Sequence, residues 1–144
     1  MLLTDFVRRA LLVPFKDKGR DWDGWDCWGL IYVAQREVWG RCLPLHIGEY
    51  ADAGDTADSR RYLDDVIRKN IEAACLSVWH QVPAPKQGDV AVVRMANRPI
   101  HVALCIGNQS CLHVLKGSGT HIFSSSGLVW RRRIEGYYRY NDAG

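Results

Sequence analysis

The sequence predicts an α+β fold, with N-terminal helices packed on a C-terminal antiparallel sheet. Two observations carry this. Up to about residue 75, apolar residues recur at helical spacing; from about Leu76 onward, short runs rich in Val, Ile and aromatic residues are separated by turn signals. A third bears on domain count. The chain has 144 residues, with no internal repeat, low-complexity tract or long linker, so residues 1–144 read as a single domain.

Residues 4–12 predict a short helix, with Thr4 as cap, Phe6, Val7, Ala10 and Leu11 inward, and Pro14 as its end. Residues 15–25 read as a loop around Phe15 and Trp22. Gly24-Trp25-Asp26-Cys27-Trp28-Gly29-Leu30 then runs into a second helical pattern, with Leu30, Val33, Ala34, Glu37 and Val38 at helical spacing. Asp26 is placed to cap this helix, and Gly40 to stop it. Residues 41–55 are irregular, and a further helix is expected from about Asp58 to Ala74. Trp79-His80-Gln81-Val82 opens the strand half. Val90–Met95, Ile100–Ile106, Cys111–Leu115, His121–Phe123 and Leu128–Ile134 follow as short strands. On the last of these, Arg131 and Arg133 would share one face of a charged edge strand.

Composition excludes some functions. A hydrophobic content of 47% and a charged content of 24% are ordinary for a globular chain. A net charge of +3 is too small to imply nucleic acid, and is compatible with an acidic polymer without demanding one. Six Trp and six Tyr suit a core, a binding surface or a docking face. The five cysteines, at 27, 42, 75, 105 and 111, have no regular spacing, which argues against a disulfide framework and for synthesis in a reducing compartment. Asp5, Arg8 and Arg9 interrupt any apolar run at the N-terminus, so no signal peptide is expected, and no stretch reaches membrane-spanning length.

Cys27 falls at the first helical position, where free backbone N–H groups and the helix dipole favour an anion. Helix starts can lower a thiol from its usual pKa of about 8.5, so the placement is expected to favour the thiolate. Its plain alternative is a buried structural cysteine. A nucleophile needs a base, and five histidines are available. His46 lies in the irregular segment, and His80 and His121 read as surface or satisfied core residues. His101 and His113 fall on two strands that can form a hairpin. A two-residue Gly107-Asn108 turn would set His113 opposite Val102, on the other face from His101. A three-residue loop over Gly107–Gln109 would set it opposite Ala103, diagonal to His101 and on the same face, about 7–8 Å away at Cα. A functional pair therefore requires an odd loop or a bulge. The same register sets Cys105 opposite Cys111, which admits a rival two-histidine, two-cysteine metal site. The four are spread along the strands too far for one tetrahedral ion, so the two cysteines are expected to be small apolar residues of the sheet and no metal is expected.

Asp26-Cys27-Trp28-Gly29-Leu30, Gly88-Asp89-Val90, His101 through Asn108, and Leu112-His113 resemble, in order, the motifs of the NlpC-type cysteine peptidases. The resemblance implies a circularly permuted papain-like fold with a partly barrel-like sheet, and no cofactor. It implies Cys27 as nucleophile, His101 as base and then acid, and His113 as the residue that orients the imidazole. It also implies an amide of the peptidoglycan stem peptide as substrate, between D-glutamate and the diamino acid. The backbone N–H of Cys27 is a candidate oxyanion donor. Asp26 would contact the substrate amine or cap the helix. Phe15 stands where many members carry a tyrosine aimed at substrate or oxyanion; it keeps the ring and lacks the hydroxyl.

Pro14-Phe15 with Gly19-Arg20, Glu37-Val38-Trp39-Gly40 with Leu43-Pro44, and Ile134-Glu135-Gly136-Tyr137-Tyr138-Arg139 are similar to the peptidase unit of lambda-type phage tail assembly proteins. That branch implies a virion tail location after synthesis in the host cytoplasm and action in the cell wall or periplasm. Other tail-tip proteins would be partners, with no nucleic acid and no membrane insertion. A structural tail-tip role with little or no hydrolysis is the alternative.

Overall fold

The computed structural model describes residues 1–43, 79–95 and 98–141. The expected helix over 58–74, His46 and Cys75 lie outside them. Among the described residues, helix α1 (Leu3–Ala10) leads to a two-strand ribbon, β1 (Arg20–Asp21) and β2 (Gly24–Trp25), and then to helix α2 (Cys27–Trp39). Strands β3 (Trp79–Val82), β4 (Val90–Met95), β5 (Arg98–Gly107), β6 (Ser110–Leu115) and β7 (Gly119–Ser124) follow. A one-turn helix, α3 (Leu128–Arg131), precedes the last strand, β8 (Ile134–Tyr140). The predicted α+β architecture is what the molecule adopts. The main sheet has the order β3-β8-β4-β5-β6-β7, every neighbouring pair antiparallel.

Three local expectations are corrected. Helix α1 begins one residue earlier than expected, its N-cap is Leu2 without a side-chain bond, and Thr4 lies inside it. Phe6 and Ala10 are buried, while Leu11 is left exposed. Residues 15–25 hold the β1–β2 ribbon rather than an unpaired loop. Leu128–Ile134 is not a strand. Its apolar run is too short for periodicity to separate strand from helix; it makes one helical turn and a bend, and Arg131, Arg132 and Arg133 are exposed there. The true edge strands are β3 and β7.

The sheet divides the core. On one face Val90, Val92, Val102, Leu104, Leu112 and Val114 pack with Leu30, Ile31, Val33 and Ala34 of α2, and with Phe6 and Trp25. Each fully buried Leu, Ile or Val side chain contributes roughly 1.5–3 kcal/mol, so this layer fixes α2 on β5 and β6. The other face holds Ala91, Val93, Ala103, Cys105, Cys111 and Phe123, joined by Trp130 and Tyr137.

Polar ties hold the layers in register. Buried Gln35 of α2 donates to the Gly88 carbonyl (2.8 Å). Asp89 takes Arg139 in a two-pronged pair, Nε to Oδ1 at 3.0 Å and Nη2 to Oδ2 at 2.8 Å, joining β8 to the turn ahead of β4. The Trp25 indole N–H donates to Thr120 Oγ1 (3.0 Å), whose hydroxyl donates to the Val13 carbonyl (2.8 Å).

Candidate active site

Helix α2 starts where the sequence places its start. Asp26 is the N-cap, its Oδ1 accepting the Gly29 N–H at 2.8 Å, and Gly40 ends the helix at φ 66°, a left-handed conformation that glycine adopts without strain. Asp26 is buried, and its carboxylate also accepts from Arg20 Nη1 (2.7 Å) and from the Lys18 N–H (3.0 Å). Of the two roles open to Asp26, the structure thus shows the cap directly. Arg20, also buried, belongs to the Gly19-Arg20 pair that carries part of the sequence resemblance, but nothing in the sequence assigns it a role at the helix start. Its guanidinium and the Gly19 carbonyl press against Gly29, where a Cβ would sit 1.9 Å from the Gly19 oxygen.

Cys27 occupies the first position of α2, and backbone hydrogen bonds from Val102 and Trp28 reach its sulfur. The sulfur therefore lies against β5 at the residue next to His101. Phe15 stands beside the same helix start. It bridges Trp25, two residues before Cys27, and its half-buried ring packs on the core.

The surroundings of Cys27 work against the thiolate expected from its place at the helix start. Burial pushes the Cys27 thiol up to about 12, and the Asp26 carboxylate adds to the rise; the backbone bonds and Arg20 oppose it without prevailing. The residue keeps partial exposure, but its sulfur is the enclosed part. The carboxylate that caps the helix puts a negative charge beside the sulfur and works against the dipole there.

The two imidazoles meet. His101 Nε2 and His113 Nδ1 are 3.1 Å apart and share a hydrogen bond, both rings being buried. They lie on one sheet face because of a bulge. Leu104 pairs with Leu112 and Cys105 with Cys111, the register expected of a three-residue loop, but Gly107 pairs with Ser110. The extra residue is absorbed between Cys105 and Gly107. The turn itself is Asn108-Gln109, both with positive φ (52° and 58°), as a two-residue hairpin turn requires. Cys105 exchanges backbone bonds with Gly88 and Asp89 on the β4 side, so it forms a non-hydrogen-bonded pair with Cys111, their sulfurs 4.0 Å apart.

Burial, with the neighbouring His113 second, lowers His101 from its ordinary 6.5 to about 3. Burial, with His121 second, lowers His113 to about 4. Both are neutral at pH 7. Nε2 of His101 is engaged with His113, which leaves Nδ1 as the atom for a proton from elsewhere. His113 also packs against Phe123 and Trp130, neither of them marked by the sequence reading. Phe123 had a usable signal, lying two residues from His121 on the same strand face; Trp130 was hidden by the misread strand. His121 is exposed and bonds the Ser118 carbonyl, and His80 is exposed as well.

A thiol at a helix start, set against a sheet that carries two hydrogen-bonded imidazoles, is the side-chain set of the thiol hydrolases. The chain belongs to the NlpC/P60 family, whose model matches residues 13–139. Solved structures agree on the fold. The NlpC/p60 domain of the peptidoglycan hydrolase SagA is 17% identical with a TM-score of 0.59, covering 95% of each chain. A lipoprotein-like NLP/P60 protein from Staphylococcus aureus subsp. aureus Mu50 is 16% identical with a TM-score of 0.60; the match covers 98% of this chain and 41% of that one. Among curated proteins no sequence matches it.

Proposed function

We propose that the chain is a cysteine endopeptidase of the peptidoglycan stem peptide. The observations that carry this are the hydrogen-bonded His101–His113 pair on β5 and β6 and the Cys27 sulfur held by the backbone of Val102, the residue next to His101. Cys27 is the nucleophile, His101 the base and later acid, and His113 the orienting residue. For His101 Nδ1 to accept the thiol proton, its Nε2 must carry hydrogen and donate to His113 Nδ1. His113 is then the acceptor that steadies the imidazolium. Because the resting pair is neutral, the proton leaves sulfur as sulfur attacks the amide carbon. The Cys27 N–H at the helix start donates to the oxyanion. The imidazolium next protonates the departing amine, and water, deprotonated by His101, releases the acyl group from sulfur.

The substrate bond is the amide between D-glutamate and the diamino acid, and the setting is a phage tail with other tail-tip proteins as partners. What supports the setting is the resemblance of the Pro14-Phe15, Glu37–Gly40 and Ile134–Arg139 segments to the lambda-type tail peptidase unit. A second reading, a tail-tip building block with little hydrolysis, is favoured by Phe15, which puts no hydroxyl beside the helix start. Mass spectrometry of digested sacculi decides between them. Wild type is expected to release cleaved stem peptides, and Cys27→Ala and His101→Ala are expected to release none. No product from wild type on any wall type would leave the building block alone.

A further inference from the structure

We propose that Trp130 and Phe123 are positioning residues for the imidazole pair, fixing the plane of the His113 ring and keeping water from the bond it makes to His101. This rests on the reading of His113 as the residue that orients the base.

Three rings touch one another. The His113 centroid is 4.5 Å from Phe123 at 60° and 5.1 Å from Trp130 at 89°. Phe123 and Trp130 are themselves 4.5 Å apart at 32°. Aromatic pairs at such separations favour tilted and edge-on contact, so the two apolar rings select one orientation of the third. Strand β6 is next to the sheet edge, yet His113 is only 2% exposed. Trp130 supplies part of that cover from α3, whose other residues face solvent: Leu128 is 72% and Val129 60% exposed, and Arg131 is exposed too. The turn is pinned to hold the ring inward. The Gly127 N–H donates to the Ser124 carbonyl (3.2 Å), Arg131 to Gly127 (2.9 Å) and Arg133 to Trp130 (2.9 Å). The Arg133 guanidinium lies 5.5 Å from the Trp130 ring centre.

Water admitted here would do two things. It would compete for the His101–His113 hydrogen bond, and it would solvate a protonated His113, which cannot accept from His101. The other titratable groups on this face of the sheet are His101 and Cys105 from β5, Cys111 from β6 itself, His121 from β7 and Tyr137 from β8.

The test is an NMR titration of the His113 ring together with stem-peptide kinetics, on wild type, Trp130→Ala and Trp130→Phe. In Trp130→Ala the His113 midpoint is expected to rise by about one unit or more, as water reaches the ring. In the same variant kcat is expected to fall about tenfold or more, the scale of a weakened proton transfer, with KM little changed. Trp130→Phe should restore both. An unshifted His113 in folded Trp130→Ala overturns the proposal. If that variant does not fold, Trp130→Leu takes its place, and a wild-type midpoint there overturns the proposal equally. A shifted His113 in a protein that cuts no stem peptide supports the positioning and overturns only the peptidase reading.

Discussion

Acid should unfold this protein through its candidate site. His101 and His113 are held at about 3 and about 4, against an ordinary 6.5 in the unfolded chain. Between those values the unfolded chain binds two protons that the folded site refuses. A depressed histidine therefore contributes stability in full only above about pH 6.5, and that stability is lost as pH falls toward the folded values. At about 1.4 kcal/mol per unit, lowering the pH from 7 to 4.5 costs roughly 2.5 kcal/mol for each ring, on the order of 5 kcal/mol for the pair. A chain of this length is stable by roughly 7–20 kcal/mol, so the loss is a large share of the total.

The assay is urea unfolding at pH 7 and at pH 4.5, for wild type and for His101→Gln/His113→Gln. Every other titrating group is common to the two proteins and cancels in the difference of differences. Wild type should lose on the order of 5 kcal/mol more than the double variant, a midpoint difference of roughly 2–3 M urea. Each single variant should remove about half of that excess. Parallel pH curves for wild type and double variant would show that the folded imidazoles titrate normally, and the buried neutral pair would be refuted.

Four further outcomes are expected. Asp26→Ala should destabilise the fold by about 3–5 kcal/mol in urea melts, because it removes both the cap and the buried carboxylate of the Arg20 ion pair; a loss under about 1 kcal/mol would refute the buried pair. Gly29→Ala should cost about 3 kcal/mol or more in the same melts, since its Cβ would meet backbone at 1.9 Å, and a wild-type melt would refute that packing. Iodoacetamide labelling of Cys27, followed at peptide level, should climb with pH without a plateau below about pH 10, and Asp26→Asn should move the curve to lower pH. Phe15→Tyr should raise kcat/KM on stem peptides by roughly tenfold or more if a hydroxyl at this place reaches the oxyanion; an unchanged rate would show that it does not.

Much of this site was legible because its signals are local. The Asp26 cap, the Cys27 start and the Gly40 stop follow from short-range backbone chemistry, and each stands where the pattern puts it. The shared face of His101 and His113 followed from strand parity once a bulge was allowed, and the bulge is there. What failed depends on distant parts of the chain. The charge state of Cys27 is set by burial under β5 and by Asp26, and spacing reports neither. Arg20 stands in a recognisable Gly19-Arg20 pair, but only the fold shows it buried against Asp26. Leu128–Ile134 has strand composition, but only tertiary packing decides that Trp130 turns in toward His113 while Leu128 and Val129 stay outside.

The register that aligns the imidazoles is held by residues with no part in the chemistry. On β6, His113 and Cys111 face one way while Leu112 and Val114 face the other, into the layer beneath α2. A slip of one residue between β5 and β6 would carry His113 away from His101, and would also carry Leu112 and Val114 out of that layer. Losing two buried side chains at roughly 1.5–3 kcal/mol each sets the cost of the slip at about 3–6 kcal/mol before any polar group is counted. The alternating apolar residues thus hold the candidate triad in line, and the bulge ahead of Gly107 lets a tight two-residue turn coexist with that register. Deleting Ile106 should therefore remove only the bulge: with the turn at Asn108-Gln109 retained, Gly107–Ser110, Cys105–Cys111 and Leu104–Leu112 would stay paired as one regular hairpin. His113 would keep its face beside His101, so its NMR titration midpoint is expected to stay at the wild-type value, and a lost His101–His113 bond would refute the register.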